Sequence, residues 1–266
     1  MQTKTDKDFD LEVCTLASGS KGNCAFVSDG STSILIDAGL SGIELERRLK
    51  SKERSPENID AILISHEHGD HIQAAGVLSR RYNTPVYLTP KTWKAAEQKL
   101  GKISDLRHFE CGQGFKIKSL EITPFSTSHD AEDPAGMTVR QNSTKIGIAT
   151  DLGIATALVK EHLKNCSLLI LEANHDPEML MNGPYPWFLK QRVKSRTGHL
   201  SNNDSGELLK EILHEKLQHV LLGHLSEKNN TPHKALNVVG QVMNGCKAVL
   251  EIAPQDRCSQ LITLKG

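Results

Sequence analysis

His66-Glu67-His68-Gly69-Asp70-His71 packs four metal-ligand side chains into six positions. It follows the apolar run Ala61-Ile62-Leu63-Ile64-Ser65, so it stands where a buried strand ends and turns. Alternate residues of an extended stretch point the same way, so His66 and His68 can grip one cation together. Asp70 and His71 swing round the turn and can grip a second cation close by. Without a metal, this many buried polar groups would lack partners, a costly arrangement.

Three further candidates end strand-like runs. His129 follows 121–128, Asp151 follows 146–150 and His224 follows 219–223. Taken singly, an Asp after a strand reads as a cap or turn residue. Added to the motif, the three complete a dinuclear site, with three His and a carboxylate on one metal and two His and two carboxylates on the other. Mixed imidazole and carboxylate ligation suits zinc, manganese or iron and does not suit a thiolate-loving centre. Asp151, whose carboxylate has two oxygens, is the expected bridge.

Strand-like and helix-like segments alternate around these positions. Short strands are expected at 11–17, 24–28 and 33–37, then a helix at 43–52 capped by Ser41. The strand 59–65 carries the motif, and a helix is expected over 69–81. A strand at 85–88, a helix at 91–99 and a meander through 115–118, 121–125, 137–140 and 145–150 follow. The rest reads as helix 155–163, strand 168–172, helices 187–194 and 203–214, strand 217–223, helix 234–242 and closing strands 248–252 and 260–264. Two batches of strands with interspersed helices predict an α/β fold, two sheets inside two helical layers, as a single domain over 1–266.

The 266 residues suffice for one large core, and 32 basic residues balance 32 acidic ones. No global field draws the chain to polyanions, so any nucleic-acid contact requires a local patch. Six cysteines without a CxxC pair indicate neither a zinc ribbon nor a disulfide staple. Residues 1–10 are polar and lack the apolar segment of a signal peptide. No run of about eighteen apolar residues occurs, which speaks against a membrane span. The expectation is a cytoplasmic protein.

The order Asp37, HxHxDH, His129, Asp151, His224 resembles the metallo-β-lactamase superfamily over essentially the whole chain. The resemblance implies an αβ/βα four-layer sandwich with its ligands at strand ends, and makes Asp37 a residue that orients the metal loop by hydrogen bonds. No cysteine occupies position 151, which counts against a secreted β-lactamase. His68 stands where diiron flavoproteins of this fold carry a carboxylate. Thr197-Gly198-His199-Leu200-Ser201-Asn202-Asn203 resembles the extra histidine motif of the phosphodiesterase branch. A histidine at a helix N-terminus with free N–H groups is a natural phosphate site; plain capping by Ser201 or Asn202 is the other reading. Leu16-Ala17-Ser18-Gly19-Ser20-Lys21-Gly22-Asn23-Cys24, Glu172-Ala173-Asn174-His175-Asp176, Gly183-Pro184-Tyr185-Pro186 and Gly223-His224-Leu225-Ser226 are similar to the WalJ/YycJ-type group. Those are cytoplasmic bacterial metallohydrolases acting as 5′-to-3′ DNA exonucleases. The chain has neither the long insertion of β-CASP nucleases nor the exosite arm of the tRNA-processing relatives.

The resemblance implies two-metal phosphodiester hydrolysis by a metal-bound hydroxide. His66, His68 and His129 hold the first divalent ion (zinc or manganese, with iron also suited), Asp70, His71 and His224 hold the second, and Asp151 bridges. Asp70 and His199 are then the catalytic residues, His199 giving a hydrogen bond or proton to the phosphate or departing oxygen. Ser20 and Asn23, in the small-residue turn 18–23, are candidate phosphate contacts, with an ordinary hairpin turn as the alternative. Lys190, Arg192, Lys194 and Arg196 precede His199 and can pair with DNA phosphates, while Tyr185 and Trp187 can stack on a splayed base; a solvated helix face with a core Trp explains them equally well. The basic run 47–54 is diluted by glutamates and reads as a surface helix. A thioesterase or lactonase would share every ligand without needing His199, a ribonuclease would share His199 too, and a metal-stabilised DNA-binding module would need no turnover. Metal identity and oligomeric state are not specified by these residues.

Overall fold

Most strand residues are buried on both faces, which is why the strands read as unbroken apolar runs instead of alternating ones. The computed structural model describes residues 10–265. Strands β1 (Leu11–Ala17), β2 (Cys24–Ser28), β3 (Ser33–Ile36), β4 (Ala61–Leu63), β5 (Val86–Leu88) and β6 (Leu106–His108) build the first sheet. Strands β7 (Phe115–Ile117), β8 (Leu120–Ser126), β9 (Ala135–Gln141), β10 (Thr144–Ala149), β11 (Leu168–Glu172), β12 (His219–Gly223) and β13 (Val249–Ile252) build the second. The last strand among the described residues, β14 (Ile262–Leu264), returns to pair with β1, so each sheet has seven strands among them.

Alternate residues sort into three apolar layers. Val13, Val27, Ile34 and Ile36 of the first sheet meet Val139, Ile146 and Ile170 of the second between the sheets. Leu16, Phe26 and Leu35 point outward beneath α1 (Gly42–Ser51), α3 (Ala75–Tyr82) and α4 (Pro90–Leu100), with the single-turn α2 (Gly69–Ile72) ahead of α3. Leu169, Leu171 and Val220 lie beneath α5 (Ala157–Leu163), α8 (Asn202–Ile212) and α9 (Pro232–Gly240). Two short helices, α6 (Pro177–Asn182) and α7 (Trp187–Val193), fill the connection before α8. This is the expected αβ/βα sandwich. Among the described residues no helix is long and apolar enough to cross a membrane.

Strands β3 to β6 run parallel, as do β10 to β13, and β8 shares the direction of β10 because both are antiparallel to β9. The C-terminal ends of β3 and β4, and of β8, β10, β11 and β12, therefore open on one rim in each sheet. A backbone bond from Ala135 N–H to Ser65 O, 3.0 Å, ties the two sheets together beside it.

The helix expected over 69–81 is two helices. Ala38 donates to His71 O at 2.7 Å and Ala74 donates to Ala38 O at 2.8 Å, so the loop after β3 captures backbone groups that a continuous helix would use. The strand expected over 59–65 forms its ladder over Ala61–Leu63 alone, following a 3₁₀ turn at Pro56–Asn58. Strand β6 is short and mostly exposed, and α6 starts on an Asp176 cap; neither has enough apolar periodicity to be expected. Helix α1 is capped by Ser41 as expected, but it is not wholly a surface helix. Arg48 is buried and donates to Leu16 O (2.6 Å), Gln255 O (3.2 Å) and Asp256 O (3.0 Å).

Leu35 is fully buried under the first helical layer. Leu35→Ala should cost about 2–5 kcal/mol, read as a lower urea midpoint at unchanged slope; a change below about 0.5 kcal/mol would contradict the packing described.

Candidate metal centre

The rim is built from sharp turns. Asp37, Asp151 and His224 follow the ends of β3, β10 and β12 within two residues and have φ of 63°, 55° and 55°. Non-glycine residues rarely adopt this left-handed region, and its cost is borne where the surroundings over-determine the turn. Each such turn lifts a side chain off its strand end and over the gap between the sheets.

Two trios form there. His68 Nδ1 lies 3.1 Å from His66 Nε2 and 3.3 Å from His129 Nε2. Asp70, His71 and His224 form the second trio, with Asp70 Oδ2 3.7 Å from His71 Nε2 and 3.8 Å from His224 Nε2. Asp151 stands between them: its Oδ1 is 3.7 Å from His129 Nε2, and its Oδ2 is 3.1 Å from His71 Nε2. The structure thus brings all seven expected ligand positions together.

These groups fit a cation better than they fit one another. Asp151 Oδ2 and His224 Nε2 are buried with no hydrogen-bond partner; His71 Nε2, though close to the former, is not placed to satisfy it. Nitrogens bound to zinc at about 2.0–2.1 Å in a tetrahedron stand about 3.3–3.4 Å apart, close to the spacing of His68 from His66 and His129. Four of the histidines have their second nitrogen pinned from behind, which fixes the ring and frees the other nitrogen. His66 Nδ1 meets Ser65 Oγ at 2.9 Å, His129 Nδ1 meets Gly198 O at 3.1 Å, and His71 Nδ1 meets Asp37 Oδ2 at 2.8 Å. His224 Nδ1 meets Glu172 Oε1 at 2.7 Å. Asp37 also accepts from the Ser65 N–H (2.8 Å) and hydroxyl (2.9 Å), so one carboxylate holds the whole start of the metal loop.

Charge divides the trios. Burial dominates at His66 and His129 and pushes both below the usual histidine range, so they stand neutral. At His71 burial also opposes the proton, but Asp37 and Asp151 outweigh it and raise the pKa well above that range. His224 reaches about 10 against its burial, drawn up by Asp151, Asp70 and Glu172. Burial works to raise Asp151, and His224 and His71 overcome it and hold the carboxylate well below its ordinary value. Protons on the second trio supply the positive charge that a cation would bring.

Glu172 is the functional residue that spacing did not reveal. Burial disfavours its charge, yet His199 and His224 hold it at about 2. Its Oε1 meets His199 Nδ1 at 2.8 Å as well as His224, and its Oε2 accepts the N–H groups of Leu152 (2.8 Å) and Leu200 (3.2 Å). The signal available in the sequence is a lone carboxylate closing the apolar strand Leu168-Leu169-Ile170-Leu171-Glu172. His199 lies with its ring centroid 5.1 Å from those of both His129 and His224, and its side chain stays 21 % exposed. With Nδ1 tied to Glu172, Nε2 is the nitrogen left to face solvent.

The turn that carries His199 is not an open anion site. The N–H groups of Gly198, His199, Leu200, Ser201 and Asn202 are taken by Ser195 O, Val193 O, Glu172, Asp204 and His175 O. Ser201 caps α8 in a capping box, so the capping reading of this turn holds, and the His199 side chain is the group it offers to a phosphate. Buried asparagines brace the same turn. Asn230 Nδ2 donates to Ala173 O and to Asn202 Oδ1, both at 2.8 Å, and Asn174 Nδ2 donates to His224 O at 2.9 Å.

The expected substrate contacts fare unevenly. Asn23 is buried, its Nδ2 directed at Gly19 O (3.1 Å), Asp70 Oδ2 (3.3 Å) and His71 Nε2 (3.0 Å); it braces the Asp70 turn and is not a free phosphate donor. Ser20 is exposed at the tip of the same turn. Arg192 is ion-paired with Asp130 at 2.6 Å and Lys190 donates to Met181 O at 2.7 Å, so neither guanidinium nor ammonium is unengaged. Arg196 and Lys194 are exposed.

Residues 32–224 match the model of the beta-lactamase superfamily domain. The chain is 37% identical over 235 residues to the exodeoxyribonuclease YycJ of Bacillus anthracis, covering 88% of this chain and 89% of that one. It is 40% identical over 232 residues to the exodeoxyribonuclease WalJ of Streptococcus pneumoniae, covering 85% and 86%. Among solved structures, the metallo-beta-lactamase fold protein YhfI of Bacillus subtilis superposes with a TM-score of 0.71 at 18% identity, over 94% of this chain and 99% of that one.

Two outcomes test the centre. A cation at Asp70, His71 and His224 needs unprotonated nitrogens, so its uptake should release protons and its affinity should rise with pH between about 6 and about 9. Calorimetric titration of chelator-stripped protein with Zn²⁺ or Mn²⁺ in buffers of different ionisation enthalpy reads this; uptake with no proton release at neutral pH would contradict the charge state described. A Cβ at Gly39 would fall 1.6 Å from Asp70 O and 2.7 Å from Asn23 N. Gly39→Ala should therefore displace the Asp70 turn and lower bound metal by elemental analysis, with far-UV circular dichroism unchanged.

Proposed function

The chain belongs to the beta-lactamase superfamily, in the family of the YycJ and WalJ exodeoxyribonucleases, and from that premise we propose that it is a metal-dependent hydrolase that removes nucleotides from the 5′ end of DNA in the cytoplasm. The observation that carries this reading is His199, fixed by Glu172 through Nδ1 beside the ligand cluster with its side chain partly exposed. A thioesterase or lactonase would need the cluster but not this residue.

Two divalent ions, zinc, manganese or iron, would be held by His66, His68 and His129 and by Asp70, His71 and His224, with Asp151 shared. Bound there, such ions acidify water and neutralise negative charge building on phosphorus. The chain's own groups do the rest. Asp37 and Glu172 fix the imidazole planes from behind, so no ring has to reorient during turnover. Burial opposes a proton on His199, but Glu172 raises its pKa, so Nε2 carries a proton to give to the departing oxygen. Glu172 stays ionised throughout and steadies the charged ring. Arg196 and Lys194, exposed just before His199, are placed to meet flanking phosphates.

Digestion of 5′-labelled double- and single-stranded DNA by chelator-stripped protein resupplied with Mn²⁺ or Zn²⁺ tests the proposal. Label should be released with metal and not by Asp70→Ala. His199→Ala should be slower by about 10²–10⁴-fold while keeping its metal content. Silence with both metals on both DNA forms would overturn the assignment in favour of RNA or a small ester.

A further inference from the structure

Helix α7 opens with Trp187 and Phe188, which are 62% and 74% exposed. Side chains of this size normally supply core or interface area, and two adjacent ones left in solvent mark a surface built for a partner. Of the two readings left open for Trp187, the core Trp therefore fails. Met181, itself 40% exposed at the end of α6, is close by, since Lys190 Nζ reaches its carbonyl at 2.7 Å.

The position of α7 says what the partner is. Its C-terminal end is strapped to the proposed catalytic residues from two sides. The His199 N–H donates to Val193 O at 2.8 Å. Arg192 pairs with Asp130 at 2.6 Å, and Asp130 in turn lies 3.2 Å from His129 Nε2. From Val193 back to Trp187 the helix rises about 9 Å, at about 1.5 Å per residue. That is the span of two to three stacked nucleotides at about 3.4 Å each. From Tyr185 to Gly198 the sequence holds four cations and no carboxylate; Arg192 is taken by Asp130 and Lys190 by Met181 O, while Lys194 and Arg196 stay exposed and make the approach to the site positive as well as aromatic. Apolar rings beside the exposed Lys194 and Arg196, leading to a phosphodiester site, match an unpaired nucleotide strand: its bases offer faces to stack and its phosphates offer charge.

We propose that α7 is a stacking platform on which Trp187 and Phe188 hold the unpaired bases next to the scissile bond, with the intervening phosphates on Lys194 and Arg196. This rests on the DNA-hydrolase reading and sharpens it. A duplex presents no free base faces at its sides, so the strand must be single or frayed over two to three nucleotides to be held there.

The test compares wild type with Trp187→Ala/Phe188→Ala on a 5′-labelled single-stranded oligonucleotide and on the same oligonucleotide made abasic at its 5′-terminal positions. Base–aromatic stacking lost at two rings predicts a KM higher by about 10-fold or more on the normal strand. On the abasic strand the two proteins should agree within about twofold, and Trp187→Tyr/Phe188→Tyr should restore most of the loss. An unchanged KM on the normal strand, or an equal loss on both strands, overturns the platform. So does sedimentation showing a wild-type dimer that the double alanine variant turns monomeric at unchanged KM, which would assign the patch to a second copy of the chain. If wild type cleaves no oligonucleotide, the hydrolase reading fails by itself. The platform is then read from Trp187 emission in metal-free Trp93→Phe protein: quenching by the normal but not the abasic strand upholds it, and no quenching overturns it.

Discussion

Four carboxylates, Asp37, Asp70, Asp151 and Glu172, converge on six histidines in a space largely closed to water, and everything else at this end of the molecule answers to that fact. Ionised groups taken out of water cost several kcal/mol each unless they find opposite charge. Here the opposite charge comes from protons on His71 and His224 or from cations in their stead. The arrangement is therefore never electrostatically slack, and it can exist only if the backbone holds every member to within a fraction of an ångström.

The two sheets meet that demand by ending strands side by side. Parallel neighbours bring Asp151, Glu172 and His224 to one edge of the second sheet, while Asp37 and the His66 to His71 loop leave the first. Left-handed turns at Asp37, Asp151 and His224 then aim the side chains, and buried carboxylates and hydroxyls behind them stop the rings from turning. The apolar layers below give the rim its rigidity. A core that interdigitates without voids does not shift by half an ångström to suit one side chain.

Sequence reading reaches those parts of this design that are local. The histidine motif announces itself because its spacing and its place after an apolar run act together, and the strands at 11–17, 24–28 and 168–172 are contiguous enough to be read to the residue. What it misses depends on distant partners. The break at Gln73-Ala74 is imposed by Ala38, thirty-odd positions earlier, and leaves no mark on the helical pattern. Glu172 lies far in sequence from the histidines it steadies, and Asn23, whose small neighbours suggested a phosphate loop, is occupied by the Asp70 turn. Arg48 sits in a run of charges typical of solvent, yet three carbonyls from two other segments enclose it. In each case local composition is ambiguous and the tertiary hydrogen bond decides.

One feature of the backbone bears on how such a protein can change over time. Asn174 donates to Leu200 O at 2.9 Å and Asn202 donates to His175 O at 2.8 Å, a two-rung parallel bridge that clasps the chain on both sides of α6 and α7. The segment between is a closed loop with a fixed neck, and it meets the histidine rim through its C-terminal part, where Gly198, His199 and Arg192 sit. The stretch ahead of Arg192 can be lengthened, shortened or replaced while both ends stay in register. Such a cassette lets one hydrolytic centre be fitted to substrates of different shape without its chemistry being rebuilt.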